Sequence, residues 1–149
     1  MLVELVQHPF DPWKALQDYQ QRQLQAGQFG ATAVFVGTMR DFNEGEAVEV
    51  LFLDHYAGMT ERELRRIVEE ARDRWPIQEV LVMHRVGEIR PAEPIVLVAV
   101  WSVHRGPAFE SCRWIMEALK SRAPFWKRRR VRPVSAGLRK IPRDIDTQL

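Results

Sequence analysis

The feature that most constrains this chain is PIVLVAVWSV, residues 94–103, an almost unbroken apolar run of strand length. Successive side chains of an extended strand point to opposite faces of its sheet. A strand that is apolar on both faces needs a covering layer on each side, so this segment belongs at the centre of a sheet with other elements packed above and below. The chain has 149 residues, of which 46% are hydrophobic. That length is most simply one domain, and folding at this size buries roughly 68–70% of the chain's surface.

Other segments supply candidate layers. Val3 to Val6 has the pattern of a short strand. Asp11 followed by Pro12 is an N-cap and first-turn pair, opening a helix to about Gln25 that Gly27 stops. ATAVFVGTM, Ala31 to Met39, is a second apolar strand. Its turn is expected in DFNEGE, Asp41 to Glu46, with AVEVLFLDHY, Ala47 to Tyr56, returning as the other arm of a hairpin. Thr60 and Glu63 have capping-box spacing. Behind them Leu64, Ile67, Val68, Ala71 and Trp75 recur at helical spacing until Pro76. EVLVMHRV, Glu79 to Val86, is a further strand. Gly106-Pro107 opens a third helix, which ends near Arg122, before Pro124. After Lys127 the apolar pattern fades, and a loosely structured basic tail is expected from about residue 129. Helices do not alternate one for one with strands, which favours an α+β fold with mostly antiparallel pairing.

Composition excludes several function classes. A single cysteine, Cys112, rules out an intramolecular disulfide and a cysteine-built zinc or iron–sulfur site. Neither an HExxH motif nor an Asp-x-Asp calcium loop occurs, so metal-free chemistry is expected. No run approaches 18 apolar residues, and the start, MLVELVQHPF, lacks the features of a signal peptide, so the expected location is the cytoplasm. The formal net charge of +2 is unevenly spread. Residues 1–119 carry 12 basic and 18 acidic side chains, whereas residues 120–149 carry 10 basic and 2 acidic. Such an end is a solvated tail, an anion site or a dock for an acidic partner.

Three places hold candidate chemistry. In VHRGPAFE, Val103 to Glu110, the central strand delivers His104 and Arg105 to a helix N-terminus, whose unpaired N–H groups and positive dipole end suit phosphate or carboxylate. The plain alternative is two polar residues leaving a strand end for solvent. In GTMRDFNEGE, Arg40 stands where an apolar strand gives way to a polar loop, positioned for bidentate phosphate contact or simply exposed. The third place is LKSRAPFWKRR, Leu119 to Arg129. Of 22 basic residues only Lys14, Lys120, Lys127 and Lys140 are lysines. Ala108, Cys112, Met116 and Lys120 form one i, i+4 row beside Phe109, Ile115 and Leu119. Desolvation there favours a neutral amine, which can act as base or nucleophile, while the helix C-terminal dipole favours the cation. Phe125 and Trp126 are expected to plug into the core and hold Lys127 near Lys120. The alternative is a snorkelling lysine ahead of a solvated tail. Cys112, mid-helix on the apolar face, reads as a buried structural thiol in preference to a nucleophile. His55 and His84, within strands or at their ends, read as structural.

FVGTMRDFNEG, LDHYAGMTE, ARDRWP, HRVGEI, SVHRGPAFE and LKSRAPFWK lie in that order over about residues 30–128. Together they resemble the large, catalytic subunit family of molybdopterin synthase. The resemblance implies an α/β-hammerhead-type fold with an additional antiparallel sheet. It implies a sulfurtransferase: a small ubiquitin-like carrier with a C-terminal Gly-Gly thiocarboxylate supplies sulfur, and cyclic pyranopterin monophosphate receives it to form the dithiolene of molybdopterin. A homodimer of large subunits within a heterotetramer is implied as the assembly, with no cofactor, metal, membrane or nucleic acid. Lys120 and Lys127 match the family's essential lysines; Arg40, His104 and Arg105 match its substrate-pocket residues; Phe35 and Met116 match apolar lining positions. Lysine can serve as an amine base where arginine cannot, since arginine stays protonated. Beyond Lys127 the chain reads RRRVRPVSAGLRKIPRDIDTQL, without the acidic residue and later tryptophan usual in the family, and no role is carried over there.

Two other readings compete. One is a non-enzymatic binding module whose basic end contacts nucleic acid or an acidic protein; the lack of aromatics interleaved through Lys127 to Arg143 weighs against nucleic acid. The other is a relative that keeps the fold without the activity.

Overall fold

A computed structural model of the chain describes residues 1–40, 47–133 and 139–140. The elements, in order, are β1 (Leu2–Val6), α1 (Pro12–Gln23), β2 (Ala31–Thr38), β3 (Ala47–His55), α2 (Met59–Arg74), β4 (Ile77–Arg85), β5 (Gly87–Ile89), β6 (Pro94–Ser102), α3 (Arg105–Arg122), β7 (Phe125–Pro133) and β8 (Arg139–Lys140). They form an α+β fold with two four-stranded sheets, ordered β1-β4-β6-β2 and β5-β3-β7-β8. The first is mixed, because β1 runs parallel to β4 while β4–β6 and β6–β2 are antiparallel. The pairings of the second are all antiparallel.

β6 occupies the position its sequence demands. Val96, Val98 and Val100 pack with Leu64, Ile67, Val68 and Ala71 of α2 and Ile115 and Leu119 of α3. Leu97, Ala99 and Trp101 face the opposite way, towards Tyr19, Ala15 and Leu16 of α1. All six of these β6 side chains have no exposed surface. Polar tips in this second layer find partners: the Trp101 indole donates to Gln20, and the Tyr19 hydroxyl donates to Glu79 at 2.7 Å. Asp11 caps α1 by accepting from the backbone N–H groups of Trp13 and Lys14.

Gly87, the first residue of β5, stands at φ +83° where the chain passes from β4 of the first sheet to β5 of the second. A left-handed backbone there lets the chain leave the first sheet and enter the second without steric cost. A third cluster, Met39, Leu51, Leu53, Ile89 and Ile95 with Phe125 against it, fills the space this creates.

Several expectations are corrected. β2 and β3 do not form a hairpin: β2 pairs with β6 and β3 with β5 and β7. β2 is apolar enough to lie beside the buried β6, whereas β3 alternates buried Leu51 and Leu53 with the less buried Phe52 and Asp54. The turn expected at Asp41–Glu46 lies outside the described residues. The capping box sits two residues earlier than Thr60–Glu63, with Glu61 accepting from the Gly58 N–H at 2.7 Å. Thr60 is instead wholly buried. At α3 the cap is His104, not Gly106. Regular structure also continues past 129: β7 pairs with β3 as far as Pro133, because backbone hydrogen bonds do not require apolar side chains. Residues 134–138 and 141–149 of the expected tail lie outside the described residues.

Candidate active site

The C-terminal end of α3 is held on two sides. Arg122 donates from Nε and Nη2 to Glu63 Oε1 at 3.0 and 2.8 Å, and from Nη1 to Glu70, tying the last turn of α3 to α2. The Arg122 hydrogen bond is the main cause that lowers the Glu70 carboxyl below its usual range. Thr60 accepts from the Tyr56 N–H and donates to the Pro124 carbonyl at 3.2 Å, pinning the turn that follows. Pro124 ends the helix, and β7 starts at once, with Phe125 opposite His55 and Lys127 opposite Leu53. Phe125 and Lys127, two residues apart on a strand, therefore share a face. That face looks back at α3.

Between them lies a small cleft of about 70 Å³ lined by Leu53, His84, Met116, Leu119, Lys120, Ala123, Phe125 and Lys127. Lys120 is exposed and Lys127 half-buried. The fold thus brings together two lysines from different elements over an apolar floor. Phe125 packs inward as expected, but Trp126 does not. It is 41% exposed and lies against Tyr56, with ring centroids 4.5 Å apart.

His84, read from sequence as structural, forms one wall of this cleft. Its ring stacks on Phe125 at 4.2 Å and 19°. Nδ1 lies 2.8 Å from the Arg85 carbonyl oxygen. Burial drives its titration down to about 4, against the pull of that hydrogen bond and with help from the Lys127 charge, so the imidazole is neutral at physiological pH. Arg85 below it is buried and pairs with Glu93 at 2.6 Å. The HRVGEI motif was the sequence signal for this wall, but nothing in its spacing said that it would meet α3.

Met116 is shared with an adjoining groove of about 270 Å³, whose other walls include Phe35, Val34, Phe109 and Cys112. Phe35 thus belongs to the neighbouring groove. The Cys112 thiol is buried, 3.8 Å from the Val98 carbonyl, and burial pushes it up to about 11, against a backbone hydrogen bond from Phe35. It is a protonated thiol at neutral pH, unsuited to nucleophilic attack.

The remaining candidates divide between the two ends of the first sheet. Buried Met39 exchanges backbone hydrogen bonds with Ala92 and Glu93, so Arg40 emerges, exposed, at the end where β6 begins. His84 pairs with Val96 near that same end. His104 and Arg105 follow Ser102 at the opposite end, beyond a β2–β6 ladder of eight residues, or about 25 Å. They are exposed at the start of the helix whose far end carries Lys120. One chain does not gather Arg40 and the His104–Arg105 pair around one cleft. Among the described residues, no three His, Cys, Asp or Glu side chains converge as metal ligands, and no helix is long and apolar enough to cross a membrane.

Fold and site define a class: a two-sheet α+β domain presenting paired amines, one from a helix end and one from a strand, above an apolar floor. The chain belongs to the MoaE protein family, whose model matches residues 5–122. It is 44% identical over 128 residues to the molybdopterin synthase catalytic subunit of Pseudomonas aeruginosa, covering 86% of this chain and 83% of that one. It is 55% identical over 107 residues to the catalytic subunit of Ralstonia nicotianae, covering 70% of this chain but only 61% of that relative. A solved molybdopterin cofactor biosynthesis protein E from Burkholderia multivorans superposes with a TM-score of 0.76 at 46% identity, covering 86% of each chain. A protein–protein complex of subunits 1 and 2 of molybdopterin-converting factor from Helicobacter pylori gives 0.72 at 25% identity, covering 85% of this chain and 83% of that one. The family places the chain among enzymes of molybdenum cofactor biosynthesis.

Proposed function

We propose that this chain is the catalytic subunit of a molybdopterin synthase, a sulfurtransferase that moves sulfur from a thiocarboxylated carrier protein onto cyclic pyranopterin monophosphate. The observation that carries this reading is the convergence of Lys120 and Lys127 with Met116 on one cleft, in a chain of this family. A thiocarboxylate and a cyclic phosphate are both anions, and the cleft offers them ammonium groups beside apolar walls where electrostatic attraction is stronger than in water. Lys120 is assigned the acid/base or carbonyl-holding role, and Lys127 the partner charge. Arg40 at the same end of the sheet is assigned to the phosphate. Phe35 and Met116 form apolar surface for the pterin.

His104 and Arg105 enter this scheme through a second copy. Since they sit at the far end of their own sheet, a homodimer of large subunits would allow each copy's pair to serve the other's cleft. The carrier, a small ubiquitin-like subunit, would thread its Gly-Gly terminus towards the lysines, completing a heterotetramer. The Helicobacter complex of two subunits is consistent with such a partner. Residues 1–149 are taken as one domain, and the proposal retains the cytoplasmic location expected from the sequence. The nucleic-acid reading loses ground because Arg128, at the start of the basic stretch, pairs with Asp54 at 2.9 Å on a paired strand.

The test is single-turnover sulfur transfer from a thiocarboxylated, Gly-Gly-ended carrier to the cyclic pterin, read by product mass. Transfer is expected in wild type and in folded Cys112→Ser. Loss of transfer in folded Cys112→Ser would mean that the chain relays sulfur itself, and absence of transfer in wild type would remove the proposal. Raising salt should slow carrier association more than it speeds dissociation.

A further inference from the structure

We propose that His84 is a positioning residue of the lysine cleft: its ring, fixed with the proton on Nδ1, offers bare Nε2 as a hydrogen-bond acceptor that aims the Lys127 ammonium. Four observations support this. The Arg85 carbonyl, 2.8 Å from Nδ1, can only accept, so Nδ1 carries the proton and a neutral ring leaves Nε2 as a lone pair. Stacking on Phe125 fixes the plane of the ring. Lys127 lies two residues beyond Phe125 on the same face of β7 and lines the same cleft as His84. The charge of Lys127 is close enough to oppose protonation of the imidazole, in addition to burial, so the acceptor persists through the neutral range.

The surroundings give the choice of residue a physical logic. Among the described residues, the charged groups around His84 are Lys120 from α3, Lys127 from β7, and Arg85 on its own strand, itself paired with Glu93. β1, β6 and β3 contribute Leu5, Val96 and Leu53. A carboxylate at this position would orient Lys127 but also pair with it and cancel its charge. A neutral imidazole orients the ammonium and leaves the positive charge available to an incoming anion. A cationic imidazole would repel the ammonium, and burial keeps the ring neutral down to about pH 4.

The tautomer and the contact are tested on the free protein, independently of the proposed reaction. In the ¹⁵N-labelled protein, His84 should show a protonated Nδ1 and a bare Nε2 from about pH 5 to about pH 8. Lys127→Met should move the Nε2 resonance. A protonated Nε2, or one indifferent to Lys127→Met, overturns the proposal. The kinetic arm rests on the proposed function. His84→Asn, which keeps a donor for the Arg85 carbonyl but lacks the cleft acceptor, should slow single-turnover transfer about ten- to a hundredfold at unchanged pterin affinity. His84→Gln, whose longer side chain restores an acceptor, should recover to within about threefold of wild type. A folded His84→Asn protein with the wild-type rate overturns the positioning role. If wild type itself transfers no sulfur, the function proposal fails while the resonance experiment still decides this one.

Discussion

β6 and β7 are each nine residues long and each lie between two strands of their sheet, yet they are held by different forces. Eight of the nine β6 residues are buried, and each face meets helices. Burying a large apolar side chain is worth about 1.5–3 kcal/mol, so this strand is anchored mainly by removal of surface from water. β7 reads FWKRRRVRP and has little to bury. Its register with β3 runs over nine residues, with Phe125 on the inner face and Arg128 on the other, ion-paired with Asp54. Backbone pairing holds it where side-chain hydrophobicity does not. The difference explains where the chemistry can sit. A lysine within β6 would face a desolvation cost of several kcal/mol. Lys127 on β7 is half-buried, with part of its side chain against the apolar walls of the cleft and part open to solvent.

The sharpest way to break this division is to act on the cleft alone. Lys120→Ala should cut turnover by about two to four orders of magnitude, with denaturant stability nearly unchanged, and Lys120→Arg should not restore it. Single-turnover rates beside urea melts check this, and a fully active Lys120→Arg variant would show that charge suffices. The converse substitution acts on the scaffold. Leu97→Ala, in wholly buried β6, should cost about 2–5 kcal/mol of stability while the remaining folded fraction transfers sulfur normally.

A third test uses pH to separate the two regions. The titration of His84 falls from its ordinary 6.5 to about 4 in the folded chain. As pH drops below 6.5 the unfolded chain takes up a proton that the folded chain refuses until about 4. Stability present above 6.5 is therefore lost as pH falls through that window, at up to roughly 1.4 kcal/mol per pH unit. Urea melts across the window should show this slope in wild type and not in His84→Phe. The smallest effect concerns the link between the sheets. Gly87→Ala forces a Cβ into a left-handed backbone and should cost about 1–2 kcal/mol, read by thermal melts.

The sequence by itself marked the buried central strand of the first sheet and the helices that cover it. PIVLVAVWSV is apolar on both faces and has no stable place except a covered centre, and the spacing of Leu64, Ile67, Val68 and Ala71 leaves α2 one face to bury. The sequence also singled out Lys120, Lys127 and Met116, partly through the scarcity of lysine and partly through a family resemblance. Tertiary structure alone decided the rest. β2 and β3 separate into different sheets because pairing partners compete across the whole chain, and a local turn signal cannot express that competition. His84 becomes a cleft wall because β7 folds back beneath α3 and stacks Phe125 on its ring, a contact between residues 41 positions apart. Arg40 parts from His104 and Arg105 because antiparallel β2 and β6 place them at opposite ends of one ladder. Periodicity reports which face a residue occupies on its own element. Which other element meets that face depends on long-range packing, and the cleft is built from such meetings.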